Sequence, residues 1–69
     1  LTYHPDGQAL HADSDCSTIQ LLNVEGQLLL QTSGQKQDIS IAHYPQGTYI
    51  AVAYGANGDI LDRLVFLKN

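Results

Sequence analysis

The chain has 69 residues, 43% of them hydrophobic, and a formal net charge of −4 at pH 7. This length fits one domain over residues 1–69, and the apolar fraction is typical of globular rather than disordered proteins. The acidic balance argues against nucleic acid or an anionic membrane surface as a partner. A single cysteine, Cys16, excludes an internal disulfide and a thiolate metal cluster. Leu1 is not an initiator methionine, so we expect the chain to be a segment of a longer protein.

The first half of the chain predicts short strands separated by turns. Residues 4–7 read His-Pro-Asp-Gly and predict a turn, and residues 8–12 predict a short strand. Residues 17–24 alternate well enough to predict a second strand. An Asn-x-x-Gly turn at residues 23–26 then leads into the leucine-rich run 27–32, and the two runs together predict a hairpin.

Residues 38–54 form the stretch on which the predicted fold depends. A strand with two-residue alternation leads into a turn at residues 44–47, where Pro45 fixes φ and Gly47 can adopt a positive φ. Residues 48–54 follow without a breaker and are apolar on both faces. Such a run is typical of the central strand of a sheet.

The end of the chain predicts one more hairpin. Residues 55–59 carry an Asn-Gly signal, and residues 60–68 return as the last strand, in which Asp62 and Arg63 mark either a bulge or a solvent-facing pair. The total is six or seven short strands, which predicts a small antiparallel β-sandwich. The side chains expected to be mostly buried are Ile19, Leu21, Ile39, Ile41, Ile50, Val52 and Leu64.

The order of these signals resembles the C-terminal sorting domain of the type IX (Por) secretion system, a module of exported proteins of Bacteroidetes. The resemblance covers residues 10–69 and depends on the placement of Asn-x-x-Gly, Ile-x-Ile, Pro-x-Gly-x-Tyr and a final apolar strand ending in Lys. A Pro-Asn-Pro turn common at the start of such domains is replaced here by His-Pro-Asp-Gly. The candidate turn and recognition residues are Asn23, Gly26, Pro45, Gly47, Tyr49, Val65 and Lys68.

The resemblance implies an Ig-like β-sandwich that is an address rather than an enzyme, with no cofactor and no metal. Its parent protein would pass through the periplasm and then reach the outer membrane, the cell surface or the medium. The implied partners are outer-membrane translocon components and a sortase-like cysteine protease, which commonly removes the domain. One recognition hypothesis is that the machinery binds the last strand by strand addition, or captures its free carboxylate. A weak homodimer through an edge strand is a further expectation. A passive Ig-like or fibronectin-like spacer or adhesion module is the alternative function.

Three other kinds of site receive little support from the sequence. The histidines His4, His11 and His43 lack the spacing of a metal site, and no arrangement of residues favours catalysis. Tyr49 and Tyr54 have the chemistry to stack on a sugar. They lie on opposite faces of one predicted strand, so at most one can join a given platform, and packing in the core is the expected role.

Overall fold

The computed structural model describes residues 1–12, 16–33 and 37–69, and the predicted loops at residues 13–15 and 33–37 lie wholly or largely outside these ranges. The described residues contain no helix that could cross a membrane. They form seven strands: β1 (Thr2–His4), β2 (Ala9–Ala12), β3 (Thr18–Asn23), β4 (Leu28–Ser33), β5 (Gln37–Ser40), β6 (Gly47–Tyr54) and β7 (Ile60–Lys68).

The strands build two antiparallel sheets, which confirms the predicted sandwich. One sheet has the order β1-β2-β5 and the other β4-β3-β6-β7. The shortest dimension of the molecule is 15 Å, as expected for two sheets packed face to face. Strand β6 lies inside the larger sheet, between β3 and β7, and this confirms its predicted central position.

The core lies between the sheets and follows the two-residue alternation of the strands. Leu10 and Ala12 enter it from β2, and Ile19 and Leu21 enter it from β3. The remaining core residues come from the segment before β3, the crossover, β6 and β7: Cys16, Ile41, Tyr49, Ala51, Ala53 and Phe66. Aromatic rings join the layers, because the Tyr3 ring of the smaller sheet stacks on Phe66 of the larger one at 4.5 Å between centroids.

Of the seven side chains predicted to be mostly buried, four are buried, although Val52 lies outside the core cluster, on the same face of β6 as Ile50. Ile19, Leu21, Ile41 and Val52 are buried, whereas the remaining predicted residues are only half-buried. Two physical reasons account for these three residues, which are Ile39, Ile50 and Leu64. Ile39 and Leu64 lie on the edge strands β5 and β7, and Ile50 points to the outer face of the larger sheet, which the other sheet does not cover.

Two local predictions are displaced by one residue. The first turn closes at residues 5–8, where the Gln8 N–H donates to the Pro5 carbonyl at 3.2 Å, instead of at residues 4–7. The bulge of the last strand lies at Leu61, since Ala53 pairs with Asp62 and Tyr54 with Ile60; Asp62 and Arg63 are both exposed, which agrees with the alternative prediction of a solvent-facing pair. A bulge is set by the pairing of two strands, so its position depends on the partner strand as well as on its own sequence.

The segment between β5 and β6 is a crossover between the two sheets. The Tyr44 N–H donates to the Ile41 carbonyl at 3.1 Å, so the chain first reverses earlier than the predicted turn at residues 44–47. Gly47 then opens β6 with φ +152°, which confirms the predicted positive φ. The Tyr49 hydroxyl donates back to the Pro45 carbonyl at 2.5 Å. This is the geometry of a tyrosine corner, in which a tyrosine near the start of a strand fastens the bend before it.

We predict that Tyr49→Phe lowers the free energy of unfolding by about 1 kcal/mol, because the core keeps its ring while the corner loses a hydrogen bond. Urea denaturation of the two proteins measures the difference. Tyr54→Phe is the matched control, since its ring lies at the other end of β6, and it should change stability less. Equal losses for both variants would show that the corner does not stabilise the fold.

We predict that Gly47→Ala lowers the free energy of unfolding by about 1–3 kcal/mol, because residues with a Cβ rarely adopt φ +152°. Thermal denaturation gives the change. Gly7→Ala is the control, since Gly7 is exposed and has no positive φ, and it should stay within about 0.5 kcal/mol of the wild type. An unchanged melting curve for Gly47→Ala would mean that the crossover tolerates another backbone shape.

Candidate functional site

The Asn-x-x-Gly motif makes the hairpin between β3 and β4. The side-chain oxygen of Asn23 accepts hydrogen bonds from the N–H groups of Glu25 and Gln27 at 3.0 and 2.9 Å. Its side-chain amide donates to Gln27 Oε1 at 2.8 Å, and the Gly26 N–H donates to the Asn23 carbonyl at 3.0 Å. Gly26 completes the turn with φ +84°, a conformation that glycine adopts without strain. The side chain of Asn23 therefore makes three of the hydrogen bonds that hold this turn.

A second tyrosine, Tyr44, joins the crossover to strand β4 by a hydrogen bond. The Tyr44 hydroxyl donates to the Leu29 carbonyl at 3.3 Å. Leu29 is the extra residue of a bulge in β4, because Leu21 pairs with Leu30 and Leu22 with Leu28. The bulge thus supplies a carbonyl that the crossover uses.

The sheet register brings the predicted site residues to one end of the larger sheet, which we call the corner end. There Asn23 pairs with Tyr49, and Tyr49 pairs with Phe66. Gly47 lies opposite Lys68 in the same ladder. Residues far apart in the sequence therefore meet because β3 ends, β6 begins and β7 ends at this place.

The last two predicted residues lie on opposite faces of β7. Val65 points to the outer face and is 54% exposed, which makes it available to a partner. Lys68 lies on the inner face and is only 4% exposed. No buried polar side-chain atom of the described residues lacks a hydrogen-bond partner, so the Lys68 ammonium is not an unpaired charge in the core.

An apolar row that the sequence analysis missed crosses the outer face at the corner end. In the register, Leu28 pairs with Leu22, Leu22 with Ile50, and Ile50 with Val65. Leu67 follows on the same face of β7 and is 58% exposed. The signal was present in the sequence, since these residues alternate with the core residues of their strands. It could not be assigned to a free surface without knowing that the smaller sheet covers only one side.

Strand β7 is also an edge of its sheet. It pairs with β6 on one side, and the strands in the described ranges leave its other side without a neighbour. An edge of this kind presents backbone N–H and C=O groups to which a further strand can add. The apolar row and the open edge meet at Val65.

Charge is sparse around β7 and concentrates at the end opposite the corner end. The α-amino group of Leu1 donates to the carboxylate of Asp62 at 2.6 Å, and this hydrogen bond lowers the pKa of Asp62. Asp62 lies at the end of β7 away from Lys68, so this ion pair has no part in the site. On the smaller sheet, His11 Nδ1 lies 2.5 Å from an Asp38 oxygen. No group of three or more His, Cys, Asp or Glu side chains within the described ranges is placed to hold a metal ion.

Comparisons with known proteins identify the family of this chain. The family model of the secretion system C-terminal sorting domain matches residues 6–67. No curated protein and no solved structure matches the chain. The family match includes both turn motifs and nearly all of β7. The chain therefore belongs to the family of secretion system C-terminal sorting domains, which serve as signals for type IX secretion.

Proposed function

We propose that this sorting domain works by presenting the corner end of its larger sheet to the export machinery. The family implies an interaction with the type IX machinery and export to the cell surface or the medium. The finer steps are part of the proposal: transit through the periplasm, recognition by outer-membrane translocon components, and removal by a sortase-like cysteine protease. We propose no catalytic role for the domain itself.

The observation that supports this proposal is that β7 has both an open edge and exposed apolar side chains. Val65 and Leu67 project from β7 with more than half of their surfaces exposed, beside backbone groups that β6 does not use. Strand addition obtains its affinity from main-chain hydrogen bonds and its specificity from alternate side chains. A partner strand laid along β7 would meet Val65 and Leu67 on one face. The hypothesis that a terminal carboxylate is captured depends on where the parent protein ends, whereas the strand edge does not.

The two turn motifs have a supporting role in this proposal. Asn23 and the Pro45–Tyr49 corner fix where β3 ends and β6 begins, and these strands set the position of β7. Their hydrogen bonds are made within the chain, so a partner can contact the shape they build without breaking them. Substitutions there should act on export through the fold.

We predict that Leu67→Asp blocks export of a reporter that carries residues 1–69, because a charge is placed beside the edge to which the partner strand adds. The reporter is an unrelated periplasmic protein in a host with a working type IX system, and its amount in the medium and in the periplasm is measured. Ile60→Asp is a close control, since Ile60 lies on the same strand, is 61% exposed and sits at the opposite end of the sheet. It should leave export unchanged.

Two outcomes would contradict the proposal at different levels. If both variants are exported normally while circular dichroism shows them folded, the corner end of β7 is not what the machinery binds. If the unsubstituted fusion itself stays in the periplasm, residues 1–69 do not suffice as a signal. A parent protein that carries the domain at an internal position would favour the spacer alternative.

A second copy of the chain is a further partner that we propose for the same edge. Two β7 edges can pair and extend the sheet, because little charge protects the strand. We expect weak dimers at millimolar protein concentration in sedimentation velocity, and Val65→Lys should abolish them. Leu28→Lys, on the opposite edge strand and similarly exposed, should not. A wild-type chain that remains monomeric throughout would exclude this mode of association.

A further inference from the structure

The outer face of the larger sheet carries an open groove at the end opposite the corner end. Its volume is about 410 Å³, within the size range of small-molecule sites. Residues from the start of β3, the end of β4, the end of β6 and the following loop line it. The groove contacts Ser17, Thr18, Gln20, Gln31, Tyr54 and the backbone of Gly55 and Gly58.

Two glutamines supply hydrogen-bonding groups on the floor of this groove. Gln20 and Gln31 are opposite each other on β3 and β4, and Gln20 Nε2 donates to Gln31 Oε1 at 2.9 Å. A primary amide has two donor hydrogens and an oxygen with two lone pairs, so this single bond uses only part of their capacity. It also holds both amides in place before any ligand arrives, which reduces the entropy lost on binding.

Tyr54 gives the groove an aromatic wall. The side chain is half-buried at the end of β6, on the same outer face as Gln20. The Ser17 N–H donates to the Tyr54 carbonyl at 2.7 Å, which fixes the backbone from which the ring projects. The neighbouring loop is fixed as well, because the Gly55 N–H donates to the Asp59 carbonyl at 2.7 Å. A tyrosine ring offers an apolar face with a polar tip, which suits a ligand that is apolar on one side and polar at its rim.

The lining is uncharged. Its side chains carry hydroxyls, amides, a phenol and the methyl group of Ala56, and none of them is a carboxylate, ammonium or guanidinium. Phosphorylated and other anionic ligands lack a cationic partner here, and the net charge of −4 repels them. Neutral molecules dense in hydroxyl groups, with flat C–H faces, match both the amide pair and the ring.

From this geometry we infer that the groove is a binding site for neutral saccharides, with Tyr54 stacking on a sugar ring and Gln20 and Gln31 bonding to its hydroxyls. The site is separate from the corner end, since it lies at the other end of β3 and β6. The outer face thus carries an apolar row at the corner end and an uncharged groove at the other end. The inference goes beyond sorting and stands whether or not the machinery binds β7.

Titration of the ¹⁵N-labelled chain with maltotetraose, cellotetraose and mannotetraose, each at millimolar concentration, tests the site. At least one of these should shift the backbone amide signals of Thr18, Gln31 and Tyr54, and leave those of Val65 and Leu67 in place. Tetragalacturonate, an anionic counterpart, should bind more weakly. Tyr54→Ala should weaken binding about tenfold through the lost stacking surface, while Tyr54→Phe should keep most of it.

Two further variants separate binding from a structural role of the amide pair. Gln31→Ala should weaken saccharide binding, and Thr48→Ala, an exposed substitution on the outer face at the corner end, should not. Each variant is first shown to be folded by its amide spectrum. If none of the three neutral tetrasaccharides shifts the groove signals, the groove is not such a site. Binding that survives Tyr54→Ala unchanged, or is as tight for tetragalacturonate, would also overturn the inference.

Discussion

The hydrogen bond from the Tyr49 hydroxyl to the Pro45 carbonyl is the contact that fixes where the crossover ends and the central strand begins. It joins the crossover between the two sheets to the first residues of the central strand, so the sheets and the strand order are fixed together. The same tyrosine places its ring in the core near Phe66. A small domain has few such contacts, because its buried surface is limited and its stability is modest. One residue here serves the bend, the register and the core.

In the proposed mode of recognition, the outer face of the larger sheet is the surface that partners bind. At the corner end, Leu22, Ile50 and Val65 form part of a continuous apolar row beside an open strand edge. At the other end, Gln20 and Tyr54 make an uncharged polar surface. Both surfaces lie on strands whose inner faces pack in the buried core. Their positions are therefore as rigid as the sheet itself, and a partner can bind them without ordering the domain first.

Much of this arrangement could be predicted because strand alternation has a fixed period. The inward positions of Ile19 and Leu21 follow from it directly, and the positive φ of Gly47 follows from residue chemistry. Features that depend on a partner strand could not be predicted in the same way. The bulge at Leu61 and the burial of Lys68 result from pairing with β6, which no local pattern reveals. The apolar row was invisible for the same reason, since it exists only across four aligned strands.

The stacking of Tyr3 on Phe66 has a consequence for the order of events during synthesis. The two rings are joined across nearly the full length of the described chain, so the first strand lacks its aromatic partner until the last strand has been made. Contacts of such long sequence separation form late, because the intervening chain must first be closed into a loop. A signal built this way stays incomplete on a nascent or truncated chain. Only a chain synthesised through β7 can complete this aromatic stack and, with it, the fold of the sorting domain.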